Sequence, residues 1–231
     1  MHVLLTRPED DAARTAQALT ARGHTVLVAP LMRLETVDGA FGGPFAAVLL
    51  TSANAARALT DSARAELARL PAYTVGARTA QAAREVGFAQ VESADGALAD
   101  LVRLVSTRRP VGRLLYLAGE DRAGDLAGDL AAHGIMVETA VVYRTVPVEA
   151  LPEDAVRALA AGRIDAVLHY SRRSALTLLH LAGRAGLLNA TLSLAHYCLS
   201  EDVAAVLRES GAGQVFAAAV PTEAALLDRV A

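Results

Sequence analysis

The feature that most constrains this chain is that it repeats itself. At an offset of 111 residues, without a gap, Leu4 aligns with Leu115, Glu9 with Glu120, Asp10 with Asp121, Ala12 with Ala123, Leu19 with Leu130 and Ala21 with Ala132. The match continues through Gly23/Gly134, Val26/Val137, Ala29/Ala140, Arg33/Arg144 and Val37/Val148. A second stretch, Phe45-Ala46-Ala47-Val48-Leu49-Leu50-Thr51-Ser52, resembles Ile164-Asp165-Ala166-Val167-Leu168-His169-Tyr170-Ser171 at an offset of 119. Positions 73–87 resemble 196–210 in pattern rather than identity. The order is therefore A, B, A′, B′, and such self-similarity implies a duplicated structural unit and two domains rather than one.

Within each unit, short apolar runs alternate with Ala/Leu-rich helical segments. Strands are expected at 3–6, 24–29, 46–50, 72–75, 114–117, 166–168 and 194–198. Helices are expected at 10–22, from 54, and at 78–86, 121–132, 174–181 and 201–209. This alternation implies an α/β fold: two similar parallel-sheet domains with right-handed crossovers. A and A′ each end in a β-rich tail, 31–37 and 142–148. If both tails cross between domains, the first domain is discontinuous, 1–31 plus 149–231, and the second is 44–141. Segments 32–43 and 142–148 then form the crossings and pair as a short β-ribbon. A single cut, 1–110 and 111–231 with 106–112 as linker, fits the pattern as well.

Composition narrows the chemistry. The chain has 53% hydrophobic residues over 231 positions, ample for a packed core. No apolar run nears the roughly 20 residues of a membrane helix, so no membrane partner is expected. Arg7 comes too early for a signal peptide, which makes the cytoplasm the expected location. A single cysteine, Cys198, excludes an intrachain disulfide and any multi-Cys metal site. The six histidines are scattered, none paired at i, i+4, so no metal is expected. All basic residues are arginine, which removes phosphate-loop, Schiff-base and kinase chemistry, each of which needs a lysine. With net charge −3, no tryptophan and 4% aromatics, a nucleic-acid platform is not expected either.

In a parallel sheet, ligands sit beyond the carboxyl ends of the strands. The turns there are Thr6-Arg7-Pro8, Thr51-Ser52-Ala53-Asn54, Val75-Gly76-Ala77-Arg78-Thr79, Ala118-Gly119-Glu120-Asp121-Arg122, Tyr170-Ser171-Arg172-Arg173-Ser174 and Leu199-Ser200-Glu201-Asp202. Most are small or hydroxylic and open a helix. Any one of them reads most simply as a helix cap. Six together, with Arg7, Arg78, Arg122, Arg172 and Arg173 among them, point to an anionic ligand, because helix N-termini and guanidinium groups both favour carboxylates. His24 and His133 read as surface turns. His169, His196 and Cys198 read as strand interior. Tyr143 lies in the A′ tail, where its repeat mate is Met32, so the repeat does not require a phenol there. A phenol on a crossing strand can donate a proton or hydrogen bond to a departing oxygen. Packing alone is the simpler account.

Taken together, Leu4-Leu5-Thr6-Arg7-Pro8, Gly23-His24 with Val26, Ala29-Pro30-Leu31, Leu50-Thr51-Ser52-Ala53-Asn54-Ala55, Val75-Gly76-Ala77-Arg78-Thr79-Ala80, Gly119 with Arg122, and Val142-Tyr143-Arg144-Thr145 resemble the uroporphyrinogen-III synthase family. The resemblance spans essentially the whole chain. It implies two α/β domains joined by a two-stranded β-ladder, with the first domain discontinuous and a cleft between them. It implies a lyase without cofactor or metal, acting as a monomer on hydroxymethylbilane, a linear tetrapyrrole carrying eight carboxylates. The hydroxyl leaves to give an azafulvene cation, ring D is attacked at its substituted carbon, and the spiro intermediate recloses with ring D inverted. The family's tyrosine falls on Tyr143, and its hydroxylic substrate turns on Thr51-Ser52, Thr79 and Ser171. The substrate contacts implied are Arg7, Thr51, Ser52, Ala53, Asn54, Gly76, Arg78, Thr79, Gly119, Arg122, Ser171, Arg172 and Ser200.

The last third departs from the family pattern. Leu199-Ser200-Glu201-Asp202-Val203 stands where a Gly-x-Thr-Thr-Ala turn is usual, and Ser171-Arg172-Arg173 where Ser-Pro is usual. Glu201 and Asp202 would repel a polyacid, so they are expected on the helix flank. A non-enzymatic two-lobed binding protein for a small polyanion is the alternative; it needs the same turns but not Tyr143.

Overall fold

The computed structural model describes residues 1–39, 41–122 and 124–230. Ala123, the repeat mate of Ala12, lies outside them. Among the described residues the chain runs β1 (His2–Leu5), α1 (Glu9–Ala21), β2 (Thr25–Val28), β3 (Met32–Thr36), β4 (Ala47–Leu50), α2 (Ala53–Arg57), α3 (Asp61–Leu67), β5 (Ala72–Thr74), α4 (Ala77–Glu85), β6 (Val91–Ser93) and α5 (Leu98–Arg108). It continues through β7 (Leu114–Gly119), α6 (Leu126–Ala131), β8 (Val137–Pro147), α7 (Glu153–Ala160), β9 (Ala166–His169), α8 (Arg172–Arg184), α9 (Leu188–Leu192), β10 (Ala195–Cys198), α10 (Glu201–Glu209), β11 (Gln214–Ala217) and α11 (Glu223–Leu227).

The chain divides into two compact units, Met1–Arg33 with Val146–Ala231, and Leu34–Thr145. The first unit holds a five-stranded sheet in the order β11-β10-β9-β1-β2, with every pairing parallel. The second holds the order β6-β5-β4-β7-β8, also parallel, with β3 added beyond β8. The two orders coincide when β9, β10, β11, β1 and β2 are matched to β4, β5, β6, β7 and β8. The registers coincide as well. Ala166 stands beside Val3 in one sheet and Ala47 beside Leu114 in the other. Val3 stands beside Val26, and Leu114 beside Val137. Positions 111 or 119 apart in sequence thus hold equivalent places.

Both sheets are buried on their two faces, as all-parallel sheets require. Leu115 and Leu117 pack on one side of β7, and Leu114, Tyr116 and Ala118 on the other. Leu4 packs on one side of β1, and Val3 and Leu5 on the other. The β3–β8 pair is antiparallel: Val37 N donates to Val142 O, and Val148 N to Leu31 O, both at 2.9 Å. Partner numbers therefore fall along β8 as they rise along β3. Arg144 and Glu35 form an ion pair across it at 2.6 Å.

One expected helix is corrected. The repeat predicts a helix over 121–132 to match α1, but α6 spans only Leu126–Ala131. Gly124 has φ +95°, which an α-helix cannot accommodate. Asp125 then starts the helix late, its Oδ1 accepting from Gly128 N at 3.0 Å. The positions of α1 equivalent to Gly124 and Gly128 are Ala13 and Gln17, which propagate a helix better than glycine does. The loop that carries Arg122 is lengthened as a result.

His24 is also corrected, from a surface turn to a buried side chain, with Nδ1 3.4 Å from the chain's amino terminus. Cys198 is fully buried, and that burial pushes its thiol up to about 12, with Arg208 easing and Glu201 adding to the shift. A thiol this far from ionisation is a poor nucleophile. Labelling by a disulfide reagent at neutral pH is therefore expected only as fast as the first unit opens, and immediate stoichiometric labelling of native protein would show otherwise.

Candidate active site

Each sheet gathers its strand-to-helix turns at its own carboxyl edge. In the second unit the chain runs outward from β4 through β5 to β6, then returns to the other side of β4 with β7 and β8. The reversal point lies between β4 and β7, the position where open α/β sheets bind ligands. Leu50 stands beside Leu117 there, and Leu50 also beside Thr74. Thr51, Ser52, Ala53 and Asn54 thus share one edge with Gly76, Arg78, Thr79, Gly119 and Arg122.

Tyr143 reaches this edge through a β-bulge. Ala118 pairs with Val141, but Gly119 pairs with Tyr143, skipping Val142. The extra residue breaks the alternation of β8, as bulges do. Val142 and Tyr143 accordingly both pack on the apolar cluster around Leu115 and Leu117, which regular pleating forbids. Glu120 N donates to Tyr143 O at 2.9 Å, closing the bulge. The Tyr143 ring lies directly over Gly119. A Cβ on Gly119 would stand 2.6 Å from the Tyr143 Cζ and 2.8 Å from its hydroxyl. A side chain at position 119 would therefore push this ring aside.

A second phenol, unremarked in the sequence, projects from the opposite face of β7. Tyr116 is 6% exposed, and its hydroxyl is 2.8 Å from Thr51 Oγ1. Burial pushes its pKa up; the Thr51 hydrogen bond and Arg122 pull it down, and Tyr143 pushes it up again. Arg122 and Tyr143 are thus both within electrostatic range of Tyr116. Within the run Leu114-Leu115-Tyr116-Leu117, the residue reads only as strand filling. Its partner, 65 residues away, left no local signal.

The remaining hydroxyls are divided between tasks. Ser52 Oγ accepts from Asn54 N at 3.2 Å and caps α2. Ser171 Oγ accepts from Ser174 N at 3.1 Å and caps α8. Thr79 is buried in the first turn of α4. The N-cap positions of α4 and α10, Gly76 and Ser200, make no side-chain cap, which leaves the first-turn amides of those helices to other partners.

In the first unit the reversal point lies between β1 and β9, and the chain's own groups fill it. Arg7 Nη1 donates to Glu223 Oε1 at 2.7 Å and to Thr15 Oγ1 at 3.0 Å. Thr15 also donates to that carboxylate, as does the Tyr170 hydroxyl at 3.1 Å. The Arg7 guanidinium stacks 4.0 Å above the Tyr170 ring. Partial burial pushes the Glu223 carboxyl up, but Thr15, Arg7 and Tyr170 outweigh it and leave it below the usual range. Arg7 therefore fastens α11 to the sheet. Arg7→Ala is expected to destabilise this unit by about 2 kcal/mol, the cost of stripping a charged partner from a half-buried carboxylate. Urea unfolding checks this, and an unchanged midpoint would free Arg7 from that structural role.

The departures in the last third also find partners within this unit. Arg172 Nη1 lies 3.3 Å from Asp202 Oδ1, and Arg208 pairs with Glu201. Both acids are exposed and matched by an arginine. Among the described residues, no group of three or more His, Cys, Asp or Glu is placed to hold a metal ion. Among the described residues, no helix is long and apolar enough to cross a membrane.

The family sequence profile described as uroporphyrinogen-III synthase HemD matches residues 13–228. This chain belongs to the uroporphyrinogen-III synthase family. Among solved structures, uroporphyrinogen-III synthetase from Helicobacter pylori matches with TM-score 0.61 and 18% identity, over 99% of this chain and 97% of that one. A mutant uroporphyrinogen III synthase from Thermus thermophilus matches with TM-score 0.48 and 22% identity, over 100% and 96% of the two chains. The Helicobacter likeness supports the fold. No curated protein sequence matches the chain. Family membership makes the chain an enzyme of tetrapyrrole synthesis.

Proposed function

We propose that this chain closes hydroxymethylbilane to uroporphyrinogen III, with Tyr143 as the group that assists departure of the hydroxyl. The observation that carries this reading is the placement of Tyr143. A bulge and a glycine hold its phenol over the carboxyl edge of β7. A neutral phenol donates to the leaving hydroxyl, which departs as water and leaves the azafulvene cation. The substrate's carboxylates fall to Arg78 and Arg122, to Thr51, and to the first-turn amides behind Gly76. Ser52 and Ser171 are already committed to caps, each in its own unit. Arg172, against Asp202, balances an acid of α10 more than it adds positive charge. The polyanion-binding alternative is not favoured by membership of this enzyme family.

The test is coupled turnover. Purified protein is given hydroxymethylbilane, and the oxidised product is resolved into isomers. Isomer III is expected. Isomer I alone, the uncatalysed product, would overturn the reading.

A further inference from the structure

We propose that Tyr116 is a positioning residue of this site, acting through Thr51 by fixing the direction in which the Thr51 hydroxyl donates. The inference rests on the synthase reading above, and deepens it at one atom.

Packing alone does not account for the hydroxyl of Tyr116. The residue stands in the middle of β7, packed among Leu114, Ala118, Leu101 and Leu126, and yet carries a polar atom. A phenylalanine would fill that space equally well. Among the described residues the hydroxyl finds one hydrogen-bond partner, Thr51 Oγ1 at 2.8 Å. Thr51 is the first residue after β4, half-buried, at the point where the sheet's strand order reverses. The next hydroxyl, Ser52, is spent on capping α2.

Geometry leaves either oxygen free to donate, but the chemistry does not treat them alike. A phenol is a far stronger acid than an aliphatic alcohol, and the alcohol oxygen is the better acceptor. The favoured arrangement has the Tyr116 O–H donating to Thr51 Oγ1. Thr51 then cannot turn its own proton toward Tyr116, and that proton is left for a substrate carboxylate. Without the phenol, the Thr51 hydroxyl would rotate among its staggered positions, including ones that aim a lone pair at the substrate. The burial that keeps the phenol protonated keeps this polarity in place across the working pH range.

A double-mutant cycle on the full chain tests this, with kcat and KM for hydroxymethylbilane read separately. Tyr116→Phe and Thr51→Val are each expected to raise KM by about tenfold with kcat nearly constant, since the lost contact serves ground state and transition state alike. The double variant is expected to lose no more than either single one, because Tyr116 acts only through Thr51. Thr51→Ser, which keeps the hydroxyl, should recover most of the loss seen with valine, and should lose it again when combined with Tyr116→Phe. Tyr116→Phe with wild-type KM overturns the inference, as does a multiplicative loss of about a hundredfold in the double variant. If Thr51→Val alone leaves KM unchanged, Thr51 does not bind substrate and the inference falls with that contact. Failure of the synthase reading itself shows separately, as isomer I from the unmutated protein.

Discussion

Tyr143→Phe is expected to lower kcat by up to about 10²-fold while the product remains isomer III. General acids typically contribute roughly 10²–10⁴-fold. The low end applies because the azafulvene is resonance-stabilised and forms without help. Isomer choice depends instead on how ring D is held, which a phenol-to-phenyl change leaves alone. Gly119→Ala provides an independent approach to the same phenol. Its new Cβ would lie 2.6 Å from the Tyr143 Cζ, so the ring must swing aside. The ring is half-buried, and the backbone at Gly119 is outside the positive-φ region, so the fold should yield at small cost. Displacement by an ångström is itself worth about 10²-fold where geometry governs the reaction. Gly119→Ala should therefore match Tyr143→Phe in kcat, and the pair combined should lose little more than either alone. A fully active Gly119→Ala protein would mean that the phenol's position does not govern turnover. Equal activity of Tyr143→Phe and the parent would leave Tyr143 as a packing residue.

What could be read from the sequence follows from what is local. Strands such as Leu114-Leu115-Tyr116-Leu117 declare themselves by continuous burial, and α10 by its period and its acids at the N-terminal turn. The strand-end turns follow once the strands are known. The missed features are long-range or arise from a single extra residue. The bulge at Val142 shifts one pairing and nothing in composition marks it. Glu223 meets Arg7 across 216 residues, so a turn that reads as a cation for a ligand is a cation for the chain's own helix. Gly119 reads as part of a binding turn, whereas its geometry answers to Tyr143. The late start of α6 is the exception: Gly124 and Gly128 are both visible in the sequence, but the strength of the repeat with α1 outweighs them.

The first unit is expected to lose stability as the pH falls from about 6.5 toward 4, on the order of 3 kcal/mol from His196 alone. The cause is a buried histidine pair whose tautomers are fixed by a single acceptor. His196 Nε2 lies 3.1 Å from Thr191 O, and a carbonyl can only accept, so Nε2 carries the proton. A neutral His196 then has a bare Nδ1, 2.9 Å from His169 Nε2, which must therefore be the donor. His169 Nδ1 is left bare, buried and without a partner among the described residues. Any further proton goes either onto His196 Nδ1, against an N–H already aimed at it, or onto His169 Nδ1, where no acceptor meets it. Burial pushes both groups down, His196 to about 4, where the Thr191 carbonyl resists the shift, and His169 well below 6.5, with His196 adding to it. In the unfolded chain both take a proton near 6.5. Between that pH and the folded values the unfolded state binds more protons, so acid favours unfolding, with a slope of roughly 1.4 kcal/mol per pH unit for each histidine. Glu223, held below its usual range, adds its own loss only below about 4.5, in a separate window. Urea unfolding from pH 8 to 4.5 should show a flat region and then this fall. Imidazole resonances of the folded protein should show His196 titrating near 4. A folded His196 that titrates near 6.5 would remove the effect and the tautomer assignment with it.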